Sequence, residues 1–435
     1  MKLGTRLRVS SATWAVPVCL GLIYLYFFKS FKEDFKPPTG QPEYAPYVVS
    51  SVLLSFYAVS YAVASGLSAW EAGHLKRDQV WKLSPVRFRY RIALESLLPV
   101  VAVAWILILV PVCMALVQEG TAPDAGSLVL VLMALVISLA HCAIGFCVGT
   151  VTPPRLAPPI LSVAVFYAVS AAWSYEPFWL RHLSGHYATD LLFGELPTTS
   201  SVAAPVAFIW AIAAAAVLFC TPARKSGTRP LVWTAAVSVL IAGTYGSYSA
   251  VKEWGHTPPL SYGNVASTCA GQKPRVCLPE SEGDRRAEVF RAEAHAVFEG
   301  LAEAGIAGEV PGEIKDNASY RRHPRVSTDE TWWLPLTKWQ SRKAFRYNVL
   351  IEVIDLRCEG EVDQAAVGGA VLWAAEAAGV FDYARRIQER DLAELREGEK
   401  ILAEVEQRLR KVRKMPPGDQ VRWYGNEVQR SCIDK

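Results

Sequence analysis

Seven stretches of this chain are apolar for long enough to cross a bilayer as helices, and nothing else in the sequence limits the fold as much. They lie at about 11–28, 47–69, 94–118, 126–150, 157–174, 202–220 and 231–250, each 18 to 25 residues long. A hydrocarbon core of ~30 Å needs about 20 such residues. Lipid offers no hydrogen bonds, so each segment must satisfy its own backbone, which only a helix does locally. The expected class is an all-α integral membrane protein. The first run follows Lys2, Arg6 and Arg8 as a signal peptide would. No small-x-small cleavage site comes after it, and Tyr24, Tyr26, Phe27 and Phe28 suit a membrane interface, so it reads as an uncleaved span.

Charge divides the chain in two. Residues 1–250 hold 17 Lys and Arg against 11 Asp and Glu, whereas 251–435 hold 28 against 30. The near-neutral second half offers no basic patch, which argues against a nucleic-acid partner. With the N-terminus inside, the inner segments 1–10, 70–93, 151–156 and 221–230 carry 13 basic residues. The outer loops carry four: Lys29, Lys32, Lys36 and Arg181. Inner loops collect Lys and Arg, so the expectation is a multi-pass cell-membrane protein with a cytoplasmic N-terminus and residues 252–435 outside.

The cysteines fit that orientation. Five lie in the spans, and four, Cys269, Cys277, Cys358 and Cys432, lie in the tail. An even number in an oxidising compartment suggests two disulfides, for which three pairings exist. Cys269 with Cys277 closes a short loop containing Gly271 and Pro274, leaving Cys358 with Cys432 to tie down the chain's end. Free thiols would instead suit a tail facing the cytosol.

Between the fifth and sixth spans, residues 175–201 are aromatic but too interrupted to cross. Phe178, Trp179, Leu192 and Phe193 mark either an interfacial or re-entrant hairpin, or a plain loop with belt aromatics. After a linker at 252–266 the tail reads as mainly helical. Ala287, Phe290, Ala294, Val297 and Leu301 recur at helical steps over 285–304, before Gly305. Residues 306–337 read as a loop. Residues 341–357 suit a helix or a buried strand, with helix favoured, and 363–379 suit a helix capped by Asp363. A long helix is expected over 384–413 with Leu395, Leu402, Val405, Leu409 and Val412 on one face, then a short one from Trp423 to Cys432.

Motifs for chemistry are missing. There is no phosphate-binding Gly-x-x-x-x-Gly-Lys-Ser/Thr loop, no His-Glu-x-x-His and no Gly-x-Ser-x-Gly turn, so neither enzyme activity nor a cofactor is expected. No metal site is expected either: His295 and Glu299 stand four apart but at the edge of a polar helix face. Within the spans His141 is the one ionisable residue placed deep, which makes it a candidate for function, or a neutral imidazole bonded to a neighbouring helix. No chain of buried acids and histidines for a proton relay is evident.

The segment 70–93 remains. It carries six basic residues between the second and third spans, opens with Glu71-Ala72-Gly73, and continues Leu83-Ser84-Pro85-Val86-Arg87-Phe88-Arg89-Tyr90-Arg91. Pro85 disfavours helix before it, Ser84 is suited to cap the helix after it, and the basic aromatic run suits lipid headgroups. This pattern, set within the first six spans, resembles the membrane subunits of ABC-2 type transporters. The resemblance covers about residues 1–222. It implies a six-helix permease bundle whose segment after helix two docks on a separate ABC ATPase subunit, and a second permease half, identical or not. Glu71, Gly73, Leu83, Ser84, Pro85 and Arg87 then become coupling candidates. The chain departs from the family pattern at Glu71-Ala72-Gly73-His74 and in its additions: a seventh span in 223–251 and a mainly α extracytoplasmic domain at 252–435. An alternative is a multi-span anchor presenting an extracytoplasmic binding or sensor domain.

Overall fold

A computed structural model describes residues 10–31, 44–81, 89–221, 229–263, 265–280, 283–306, 308–317, 322, 325–336, 341–354, 361–393, 395 and 397–433. The chain forms two compact units that divide between Tyr262 and Gly263.

Among the described residues of the first unit, seven helices are long and apolar enough to cross a membrane. They are α1 (Ser11–Leu25, continued by a π-helical turn, Tyr26–Phe31), α2 (Ala45–Arg77), α3 (Arg89–Gln118), α4 (Ala125–Val151), α5 (Ala157–Ser170, with a 3₁₀ turn to Ser174), α7 (Thr199–Cys220) and α8 (Arg229–Val251). A short α6 (Phe178–Leu183) lies between α5 and α7. The chain is thus a multi-pass membrane protein of helical class.

Apolar burial cannot hold such a bundle together, because lipid is as apolar as the helix faces; close packing and interhelical hydrogen bonds must do so. Small residues supply the packing. A Cβ on Gly145 of α4 would fall 2.2 Å from the Ser65 carbonyl oxygen of α2, and one on Gly149 would fall 2.3 Å from that of Ala69. Across α2 and α5, a Cβ on Gly66 would overlap Ser162 Oγ at 1.8 Å. Polar links run alongside. Ser60 donates to the Ala104 carbonyl (3.0 Å), Ser162 to that of Ala62 (3.1 Å), and the Trp105 indole to Ser138 Oγ (3.2 Å). Helix α2 is therefore the central strut, buried on most faces, including Val49, Leu53, Tyr57 and Tyr61. The outward faces of α1 and α8 expose Trp14, Val18, Leu231, Ile241 and Tyr245, as lipid contact requires.

Residues 252–262, expected to be part of a linker, return to the first unit. There β1 (Glu195–Pro197) pairs antiparallel with β2 (Leu260–Tyr262), and Thr198 donates to the Pro259 carbonyl at 3.0 Å.

The second unit has its own core, which includes Val276, Phe290, Val297, Ile314, Phe345, Leu372 and Leu409. Its described residues form six helices and a four-stranded sheet. Strand β3 (Ser267–Ala270) runs antiparallel to β4 (Arg275–Pro279), while β5 (Glu313–Asp316) and β6 (Thr331–Leu334) add in parallel. Two of these strands lie inside the stretch read as a loop. At four residues each they leave almost no alternation to detect, and their partners are distant in sequence. Cys269 and Cys277 face each other across β3 and β4 and are disulfide-bonded. Cys358 and the side chain of Cys432 lie outside the described residues; the backbone at Cys432 pairs with Val362 through β7 (Glu361–Val362) and β8 (Cys432–Ile433).

Most tail helices follow the sequence pattern. Helix α9 (Asp284–Glu303) buries Ala287, Phe290, Ala294, Val297 and Leu301, and Gly305 follows at φ +83°. Helix α10 (Arg342–Ile354) takes the helical option for 341–357, and α11 (Gln364–Ala377) starts on Asp363, whose carboxylate accepts from the Ala365 and Ala366 N–H groups. The long helix does not form as one piece. It divides into α12 (Phe381–Ala393) and α13 (Gly398–Val412), which leaves Leu395 exposed in the break. Gly398 packs too tightly on the Leu392 carbonyl to carry a Cβ, so the chain turns there. Helix α14 (Pro417–Arg430) completes the unit.

Candidate functional site

The end of the first unit that carries residues 70–93 is tied together by α2. Glu71 Oε1 accepts from the Ser11 N–H (2.8 Å), the Ser11 hydroxyl (2.6 Å) and the Ser10 hydroxyl (3.1 Å). A carboxylate there satisfies unpaired donors at the start of α1 and complements the helix dipole. Gly73 lies against Pro154, with room for a Cβ only 3.0 Å from Pro154 Cβ. Lys76 donates to the Thr152 carbonyl at the end of α4 (3.3 Å). Two of the six sequence candidates are thus placed within one clasp joining α1, α2 and the α4–α5 connection. Leu83, Ser84, Pro85 and Arg87 lie outside the described residues. Trp81 stands against Phe146 (6.4 Å between ring centroids), and the Arg89 guanidinium lies 5.7 Å from the Trp81 ring centre.

At the other end, the chain between α5 and α7 packs down into the bundle. Tyr61, midway along α2, donates to the Gly185 carbonyl (3.1 Å). Gly185, at φ +83°, is hemmed in by Ile137 of α4 and the Tyr61 ring. Leu183, Tyr187, Ala188, Leu191 and Phe193 are buried. Irregular backbone at such depth is tolerated when protein surrounds it. Of the sequence candidates, Phe193 is buried against Tyr44 (5.3 Å), Leu192 is half-buried, Trp179 meets Tyr248 of α8 edge-on (5.1 Å), and Phe178 is exposed at 38%.

His141 sits behind this loop. Its Nδ1 is 3.1 Å from Ser65 Oγ, and its ring stacks on Tyr61 at 4.9 Å. It is bonded to the neighbouring helix, while its Nε2 is buried without a partner. The ring contacts continue outward, from Tyr61 to Tyr57 (5.9 Å), from Tyr57 to His186 (5.3 Å) and from His186 to Trp173 (5.9 Å). The Tyr57 hydroxyl and His186 Nε2 are also buried and unpartnered.

This row of rings ends at Arg181, whose side chain is wholly buried. Its guanidinium lies over Trp173 at 4.3 Å and donates to the Trp173 carbonyl (3.3 Å), the Ala188 carbonyl (2.8 Å) and His256 Nε2 (2.8 Å). His182 Nε2 is 2.9 Å from the Gly255 carbonyl, and Trp254 packs on its ring. Burial lowers the Arg181 pKa from its ordinary value. Burial first, then the charges of Arg181 and His256, lower that of His182. His186 is pushed down to about 4 by burial and by Arg181, against the opposing pull of the Val169 carbonyl.

This cluster was not legible in the sequence. Three of the chain's seven histidines gather round one arginine, but His256 reaches it from 75 residues away. In the second unit, His295 is half-buried and Glu299 exposed on α9, and the described residues contain no group of three potential metal ligands. No family model, curated protein or solved structure matches this chain.

Proposed function

We propose that the chain is the membrane subunit of an ABC-type transporter, working with separate ATPase subunits and a second permease half. What supports this most is the clasp at Glu71. A segment that receives force from a cytoplasmic motor must hand it to the helices rather than dissipate it in a loop. Residues 70–93 begin on a turn of α2 that is bonded to the start of α1 and to the end of α4. Displacement there would be shared by three helices. The count of basic residues favours a cytoplasmic location for this end. The irregular, buried chain between α5 and α7 then acts as a re-entrant element at the outer end, and residues 263–435 form an outer domain that binds or gates.

The test replaces residues 82–88 by an uncharged linker of equal length. The expected result is a chain that still folds and inserts but no longer retains an ATPase subunit. Equal retention by both chains would remove the docking role.

A second reading is a membrane-anchored receptor, favoured by the separate core and disulfide of the second unit. In that case removing residues 263–435 abolishes function, while replacing 82–88 has no effect.

A further inference from the structure

We propose that Arg181, set among His182, His186 and His256, forms a binding site for an oxyanion, a phosphate group carried either by a lipid headgroup or by a free solute. The inference does not depend on the transport reading. Arg181 is fully buried, yet among the described residues no carboxylate lies within ion-pair distance of it. Of the carboxylates of the same loop, Asp190 accepts from Ser51 (3.4 Å), Glu195 accepts from the Leu192 N–H (2.8 Å), and Glu176 is exposed and makes no ion pair with Arg181. The neighbours that do reach the site are His182, His186 and His256, each neutral or positive. A buried cation normally has an anionic partner.

The donors suit an oxyanion. A guanidinium has five N–H groups, and Arg181 directs three of them to the Trp173 carbonyl, the Ala188 carbonyl and His256. Nε–H is left buried and unpartnered, together with a second N–H on Nη2. Those two nitrogens share one edge of the fork, the edge that grips two oxygens of a phosphate or carboxylate. Trp173, which lies over the guanidinium, is itself 37% exposed, and Phe178 and Leu180 of the same loop are exposed too.

The experiment uses the full chain, purified in a maltoside detergent and an oxyanion-free buffer. Thermal unfolding is measured against orthophosphate, against chloride at equal ionic strength, and against phosphatidylglycerol or diacylglycerol with the same acyl chains. Equilibrium dialysis with labelled orthophosphate gives the stoichiometry. The expected result is a saturable rise in melting temperature with phosphate or phosphatidylglycerol, and none with chloride or diacylglycerol. A response to phosphatidylglycerol alone identifies a lipid headgroup, and a response to orthophosphate at one per chain identifies a solute. R181K, which keeps the charge and loses the fork, should weaken the response at least tenfold. No oxyanion response in the wild type, or an equal response in R181K, overturns the proposal. If R181K fails to fold, the wild-type comparison decides alone.

Discussion

Gly145 and Ser65 hold the centre of the membrane unit, with the α4 backbone so close to α2 that a Cβ on Gly145 would fall 2.2 Å from the Ser65 carbonyl oxygen. Replacing Gly145 by Val must push the helices apart, and overpacking of this kind costs about 1–3 kcal/mol. Gly246 on α8 has nothing within 4 Å of its virtual Cβ. Gly246→Ala should therefore be neutral or stabilise by up to about 1 kcal/mol through helix propensity. Unfolding of both variants in detergent checks the contrast, and equal effects would show that α2 and α4 do not pack as described.

Glu71 should matter to α1 before it matters to anything else. Glu71→Ala removes the acceptor for three donors at Ser10 and Ser11 and should cost about 1 kcal/mol, the usual size of a lost cap. Hydrogen exchange at residues 11–14 should speed up, with a smaller change in Glu71→Gln, which keeps an acceptor. Unchanged exchange in both would detach Glu71 from the clasp.

His186 gives a signed pH dependence. Its native pKa is pushed down to about 4, whereas an unfolded histidine titrates near 6.5. Between those values the unfolded chain binds the extra proton. Stability contributed by the neutral buried ring is therefore complete above pH ~6.5 and is lost as the pH falls toward ~4, by roughly 3 kcal/mol. His182 shifts in the same direction, so His186→Gln should flatten part of the slope and leave the rest. A slope unaltered by the substitution would place His186 in contact with water.

The Cys269–Cys277 bond closes a loop with a sequence separation of eight. Chain entropy assigns such a loop about 2–3 kcal/mol, so Cys269→Ser with Cys277→Ser should lower the second unit's stability by that order. The same pair reports orientation. With residues 263–435 outside, it should resist thiol labelling in intact cells until an impermeant reductant is added. Labelling without reductant would place the pair in a reducing compartment.

The spans were legible because a membrane demands a length and a composition that few other pressures produce. Sequence windows such as 126–150 and 231–250 fall within a residue or two of the helices Ala125–Val151 and Arg229–Val251. The tail helices were legible where apolar spacing and a cap coincided, as at Asp363 and Gly305. The sheet was not, since four-residue strands such as Glu313–Asp316 draw their partners from distant sequence. Nor was the break at Gly398, because Leu395 extends the apolar pattern of α13 straight through it. The close approach of Gly145 and Gly149 to Ser65 and Ala69 comes from the fold, which alone identifies the partners. Arg181 looked like one of four outer basic residues. Its hydrogen bonds go to His256 and the Ala188 carbonyl, and no local pattern connects them.

The coupling role of residues 70–93 is the central claim, and retention of a partner tests it most directly. The tagged full-length chain is solubilised gently, captured, and its companions are identified by mass spectrometry. The account predicts a subunit bearing the phosphate-binding Gly-x-x-x-x-Gly-Lys-Ser/Thr loop that this chain lacks, retained by the wild type and lost when residues 82–88 are replaced. Capture of the chain with no such ATPase, under conditions in which it stays folded, would contradict it.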